Sequence, residues 1–257
     1  MNISDRQTKI LALVETHGAM TIEMLAEEFG VSPQTIRRDV NMLCRADQLR
    51  RSHGGVERMS AGVNLSYDSR RLSHPEAKRR IGQLVAQMIP SRASVMFSIG
   101  TTPEMVAAAM VDHDDLTVVT NNLNVAMALS PNSSNRIFIP GGMIRLPDRD
   151  LIGQEVETMF NGYRADFGIY GVAGVEPDGA LVDFDQQEAA AREAIRMSCR
   201  TSILVADRSK FSRPAPAKRG RLGDADILVL DGPPTPEMAA LIEAEGVELR
   251  YPEGDLV

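Results

Sequence analysis

Between positions 21 and 55 the sequence runs TIEMLAEEFGVSPQTIRRDVNMLCRADQLRRSHGG, and its punctuation leaves few folds open. Ile22, Leu25, Ala26 and Phe29 recur at helical spacing and form one apolar stripe. Gly30 ends that helix, because glycine takes a left-handed cap without steric cost. Ser32 offers an N-cap hydroxyl, and Pro33 stands at the first helical position, where its missing N–H costs nothing. The helix that follows buries Ile36, Val40 and Leu43 and turns Gln34, Thr35, Arg37, Arg38 and Asn41 outward. LRRSHGGV then reads as two short extended arms around Gly54 and Gly55, a wing bearing Arg50, Arg51 and His53.

These exposed side chains can donate to base edges and phosphates in a major groove. The wing residues suit the DNA backbone or minor groove. An ordinary helical subdomain with a solvated charged face is the alternative. Small Ala26, Gly30 four residues on and apolar Ile36 six further match helix-turn-helix spacing, in which the small residues let the helices approach. A third helix precedes them. Ser4 and Gln7 have capping-box spacing, Ile10, Leu13 and Val14 face inward, and the helix ends near His17 and Gly18. Residues 1–57 are therefore expected to form a winged helix-turn-helix domain.

At 257 residues with 43% hydrophobic content, the chain can build a second, larger domain. A net charge of −7 argues against a protein that coats nucleic acid. Positions 34–58 nevertheless hold six arginines against three acids, a local positive excess suited to a sequence-specific reader. Cys44 and Cys199 show neither metal spacing nor a disulfide framework, which fits a reducing cytoplasm. Asp5 and Arg6 stand where a signal peptide would be apolar, and no run approaches a membrane span, so neither export nor a membrane partner is expected.

Residues 58–74 show weak periodicity and read as a linker. From 75 to 89 a helix turns Ala77, Ile81, Leu84, Val85 and Met88 inward. Beyond it, apolar runs at 94–99, 116–120, 136–140, 166–172, 202–206 and 226–230 read as strands buried on both faces. Helical stretches at 103–111, 122–130, 154–162, 186–198 and 235–245 lie among them. Such alternation predicts an α/β domain with a mostly parallel sheet over 75–257. The fourteen methionines read as core filler.

In such folds ligands sit at the carboxyl ends of the strands. The first strand ends in SIGTTPE, where Ser98, Gly100, Thr101 and Thr102 precede a helix start that can hold an anion. The second ends in Thr120, Asn121 and Asn122, and the third in Pro140, Gly141 and Gly142 with Arg145 close behind. Each turn alone is also an ordinary helix cap; three at successive strand ends point to a small phosphorylated ligand. LVDFDQQE adds Asp183, Asp185 and Glu188, carboxylates suited to ligand hydroxyls or else a solvated acidic turn. ADRSKF puts Lys210 beyond another strand, beside a phosphate, paired with an acid or simply in solvent. No residue pattern calls for a metal or cofactor.

Over nearly its whole length the chain resembles the DeoR family of bacterial transcriptional repressors. The resemblance is carried by the pattern from Arg6 to Val14, SPQTIRRD, LRRSHGG, the GTT turn, TNNLNVA, PGG-x-x-R, LIGQE and ADRSKF. It implies a sensor domain akin to sugar-phosphate isomerases, a homo-oligomer (dimer or tetramer), operator DNA as partner, and repression relieved by a phosphorylated metabolite. SPQTIRRD, TNNLNVA and LVDFDQQE imply glycerol 3-phosphate, with another sugar phosphate such as fructose 1-phosphate as the alternative. Two other classes stay open. One is an isomerase using Asp183, Asp185 or Glu188 as base, which an attached DNA-binding unit argues against. The other is a scaffold whose polar turns merely cap helices.

Overall fold

The computed structural model describes residues 4–45, 48–52, 54–58, 64–146 and 148–253. The chain divides into two compact units, Met1–Ser73 and His74–Val257. The first contains α1 (Asp5–His17), β1 (Ala19–Thr21), α2 (Ile22–Phe29), α3 (Pro33–Arg45), β2 (Leu49–Ser52), β3 (Gly55–Arg58) and α4 (Tyr67–Leu72). Ser4 and Gln7 close the expected capping box: the serine hydroxyl accepts from the Gln7 N–H at 3.3 Å, and the glutamine carbonyl accepts from the Ser4 N–H at 3.0 Å. Ile10, Val14, Leu25, Ile36, Val40 and Leu43 pack as one core. Asp39, buried on α3, accepts from Arg6 Nε at 2.6 Å and from Gln7 Nε2 at 3.1 Å, which ties α1 to α3.

The wing strands order as β1-β3-β2, all antiparallel. At Gly55 a Cβ would come within 2.2 Å of the Met20 carbonyl oxygen, so only glycine lets β3 lie this close to β1. The segment read as a linker holds a helix, α4. Ser66 caps it, Tyr67 is buried, and the Arg70 guanidinium lies 5.7 Å from the Tyr67 ring centroid. Six residues are too few to show a helical period.

The second unit contains α5 (Pro75–Met88), β4 (Ser94–Phe97), α6 (Thr101–Ala109), β5 (Thr117–Thr120), α7 (Leu123–Leu129), β6 (Arg136–Phe138), α8 (Gln154–Asn161), β7 (Ala165–Tyr170), β8 (Gly174–Val175), β9 (Ala180–Asp183), α9 (Gln186–Met197), β10 (Cys199–Val205), β11 (Ala217–Arg221), β12 (Ile227–Val229), α10 (Pro236–Glu245) and β13 (Glu248–Arg250). Seven strands form one sheet in the order β13-β12-β10-β7-β4-β5-β6, every pairing parallel. Helices cover both faces. Ile81, Val106 and Val125 bring α5, α6 and α7 onto one core, and Val156, Ile195 and Ile242 bring α8, α9 and α10 onto the other. A small antiparallel sheet, β11-β9-β8, rises as an excursion that the alternation had not announced.

Two expectations need correction. The run 136–140 is not buried on both faces: β6 is an edge strand whose Phe138 is 38% exposed. Nor are the methionines uniformly core filler. Met96 and Met110 are fully buried, but Met127 and Met143 are 70% and 88% exposed. Cys199 is buried and Cys44 half-buried, and neither is in a disulfide.

Replacing Asp39 by alanine should destabilise the first unit by about 1–3 kcal/mol, because Gln7 and Arg6 lose their acceptor at a buried joint. Urea denaturation followed by circular dichroism will measure it, and an unchanged midpoint would show that the joint contributes nothing.

Candidate functional site

In the first unit the turn between α2 and α3 is built as the residues dictate. Gly30 is left-handed with φ 59°, and its N–H donates back to Ala26 and Glu27. The Ser32 hydroxyl accepts from the Thr35 N–H at 3.3 Å. Ile36, Val40 and Leu43 fix the rotation of α3 by burying one stripe. Ser32, Gln34, Arg37, Arg38 and Asn41 are then exposed together and Thr35 is half-buried. Among the described residues, Arg37 has only a loose 3.9 Å approach to exposed Glu23. On the wing, Arg51 donates to the Asn41 side-chain carbonyl, and Gly54 turns the hairpin at φ 77°. Arg50 pairs with Glu57 in the strand register, and His53 lies outside the described residues.

In the second unit the polar turns gather at the carboxyl ends of the parallel strands. After β4, Gly100 adopts φ 118° and leads into α6, whose N-terminus takes no side-chain cap. Thr101, Thr102 and Ser98 are nearly buried. The Ser98 hydroxyl accepts from the Gly171 N–H at 3.2 Å, which joins the β4 and β7 ends. After β5, the Asn122 amide donates to the Gly100 carbonyl at 3.2 Å and its oxygen caps α7. The Thr120 hydroxyl donates to the Phe97 carbonyl at 3.0 Å. Asn121, fully buried, donates to the Leu151 carbonyl at 2.7 Å, and its Oδ1 has no hydrogen-bond partner among the described residues.

The loop after β6 is drawn over this region by one guanidinium. Arg145 grips fully buried Asp150 with two hydrogen bonds, of 2.9 and 2.7 Å, and reaches Glu188 on α9 at 2.6 Å. Burial opposes the charge of Arg145, but the hydrogen bonds to Asp150 and the carboxylates of Glu188 and Asp150 outweigh it and raise its pKa. Asp150 also bridges to the Asn122 backbone. Ser98, Gly100, Asn122, Asp150, Arg145 and Glu188 thus form one linked chain.

Other candidate residues stand apart from that chain. Gly141 and Gly142 are exposed where the loop begins. Asp185 caps α9 by accepting from the Gln187 N–H at 2.7 Å. Asp183 accepts from the Ala173 N–H and from buried Arg192 at 3.1 Å each, so both its oxygens are engaged within the unit. Lys210 ends a short 3-10 turn, Arg208–Lys210, that Asp207 caps. Burial pushes the Asp207 carboxyl up, but the charge of Lys210, the Ser209 hydroxyl and the charges of His74 and Lys78 hold it below the usual carboxylate range.

Sequence reasoning passed over Asp150 and Lys78. Asp150 gave no signal, since its partners come through a loop. Lys78 had one: with Ile81 and Val85 it falls on the inward stripe of α5, where a lysine is out of place.

A winged helix-turn-helix with an arginine-bearing open face, followed by an α/β unit with polar strand ends, defines a DNA-binding regulator with a sensing unit. Residues 6–61 match the model of the DeoR-like helix-turn-helix domain, and residues 73–232 that of the DeoR C terminal sensor domain. The chain belongs to the DeoR family. It is similar to the glycerol-3-phosphate regulon repressor of Haemophilus influenzae, 43% identical over 228 residues that cover 89% of either chain. To the repressor of that name in Escherichia coli it is 38% identical, over 97% of this chain and 99% of that one. The repressor CsqR of Escherichia coli is 33% identical over 97% of this chain and 96% of that one. Ribose 5-phosphate isomerase A of Methanocaldococcus jannaschii is similar over 54% of this chain and 55% of that one, at 10% identity and a TM-score of 0.40, too distant to place any residue.

Arg145→Ala should cost the second unit about 3 kcal/mol, because buried Asp150 loses two charged hydrogen bonds and Glu188 an ion pair. Faster amide exchange across residues 145–151 should accompany it; protection equal to wild type would mean the loop is held by something else.

Proposed function

We propose that this protein is a cytoplasmic, sequence-specific transcriptional repressor whose operator binding is relieved by glycerol 3-phosphate. The observation that carries the DNA-binding part is the exposed face of α3. Gln34, Thr35, Arg37, Arg38 and Asn41 are aimed by a buried stripe and an internal anchor at Asp39; Gln34, Arg37, Arg38 and Asn41 are exposed and Thr35 is half-buried. Arg51 and Gly54 present the wing beside that face, and Arg50 and His53 are assigned by sequence to the same backbone or minor-groove contacts. Protomers assemble as a homo-oligomer, so that two such helices meet successive major grooves of a palindromic operator.

The effector phosphate seats at Gly100, Thr101 and Thr102, on the open N-terminus of α6. The effector's hydroxyls meet the Asn121 amide and the acids Asp185 and Glu188, with Arg145 and Lys210 at the margin and Asn122 holding the turn from behind. The unfilled Oδ1 of Asn121 supports this reading, since a ligand hydroxyl would satisfy it. The near full-length likeness to two glycerol-3-phosphate regulon repressors supports the choice of effector. Among the described residues, no helix is long and apolar enough to cross a membrane.

The effector acts only through different affinity for the DNA-competent and DNA-incompetent arrangements, and tenfold release needs about 1.4 kcal/mol of coupling. In fluorescence anisotropy on operator DNA, Arg37→Ala and Arg38→Ala should each weaken binding by about 1–3 kcal/mol. Affinities equal to wild type would remove α3 from the interface. Glycerol 3-phosphate should release the wild-type protein, fructose 1-phosphate should do so less well, and Thr101→Ala should blunt the response. Full operator occupancy at saturating glycerol 3-phosphate would refute the effector assignment.

A further inference from the structure

The large sheet of the second unit has two edges, and they are finished differently. β13 closes one edge with Glu248 and Arg250, paired at 2.7 Å, and charged side chains on an edge discourage a further strand. β6 closes the other with Ile137 and Phe138, and Ile139 follows. From the carboxyl end of β6 the chain runs on as GGMIRL, in which Met143, Ile144 and Leu146 are exposed, the first by 88% and the last by 75%. Phe138 also meets exposed Tyr163, past the end of α8, with ring centroids 5.5 Å apart.

The loop that carries this apolar strip is held in place. Arg145, between Ile144 and Leu146, is directed onto Asp150 and Glu188. Its backbone N–H donates to the Asp150 carbonyl at 2.8 Å, and the Leu151 N–H donates to the Asn121 carbonyl at 3.0 Å. The apolar side chains on either side are thereby presented from an ordered backbone, which lowers the entropy cost of covering them.

Charge and size say what covers them. Arg145 is the one charged residue between positions 137 and 146, so the strip offers little to a nucleic acid, an acidic peptide or a lipid headgroup. It is matched by another apolar face, and a two-fold axis supplies one by setting the strip against its own duplicate. With somewhat over half of each large side chain bare on average, the six expose on the order of 650 Å². That exceeds the ~300–600 Å² of the largest patch on an ordinary monomer and comes near the ~800 Å² that each partner gives to a standard stable interface.

We propose that the β6 edge and the 143–146 loop form the face on which a second copy of this chain docks, the two strips related by a two-fold axis; this rests on the homo-oligomer reading above and gives it an interface. The charged β13 edge stays outside that contact.

The test is sedimentation velocity on the full-length chain. The variants are M143D/L146D, whose sites lie too far out to disturb the core, and Met197→Asp, an exposed methionine at the end of α9. M143D/L146D should drop one step in mass, from dimer to monomer or from tetramer to dimer, with the dissociation constant raised about a hundredfold. Met197→Asp should sediment as wild type. A double variant that keeps the wild-type mass and affinity, or a Met197→Asp variant that dissociates as readily as the double one, overturns the proposal and leaves the homo-oligomer reading standing. A wild type that stays monomeric at every concentration overturns both. If M143D/L146D fails to fold, Met143→Cys and Leu146→Cys carry the test. A bismaleimide should then link two copies through at least one of these positions in clear excess over the wild type, which has only Cys44 and Cys199. Linked product no greater than wild type at both positions overturns the proposal.

Discussion

A parallel sheet carries the carboxyl end of every strand to one rim, and everything proposed for the second unit depends on that constraint. With β10, β7, β4 and β5 hydrogen-bonded in parallel register, the turns after β4, β5 and β10 cannot be far apart. The helices that return along the faces bring their N-termini to the same rim, so backbone N–H groups and the positive ends of helix dipoles collect there. The polar side chains tune a place that the topology has already made.

At that rim the unit spends its polar groups on holding itself together. Asn122 caps α7 and reaches back to Gly100, and Ser98 ties β4 to β7. Arg145 gathers a long loop against Asp150 and Glu188. Such groups are preorganised, because their rotamers are fixed by bonds that cross elements. A molecule that offers better partners to one of them must alter the contact with the next, and in a packed network that is how a bound ligand biases one arrangement over another.

The first unit was legible because its signals are local. Gly30, Ser32 and Pro33 state a turn within four residues, and the Ile36, Val40 and Leu43 stripe decides which way α3 faces. The alternation of strands and helices was equally plain, since buried parallel strands are apolar on both sides. The missed features all depend on partners distant in sequence or on very short elements. β8 has two residues, too few for any period, and finds its place against β9 and the Phe211–Ser212 segment. Glu188 meets Arg145 across 43 positions, and no spacing in LVDFDQQE distinguishes it from Asp183, whose oxygens serve Ala173 and Arg192. The exposed edge at β6 is hidden from a sequence reading because Phe138 and Ile139 look like core until the strand order puts β6 at the end of the sheet.

Within the run Arg37-Arg38-Asp39 the division of labour is sharp. Two residues look outward, and the third is sunk between α1 and α3, gripping Arg6 and Gln7. The side chain that aims the helix is thus separate from those that would touch bases. If Gln34, Thr35, Arg37, Arg38 and Asn41 read the operator as proposed, they can diverge without the helix being re-angled, whereas position 39 is bound to its acid by the architecture. Redesign of DNA specificity in this scaffold can therefore treat the outer face as a changeable alphabet mounted on a fixed axle.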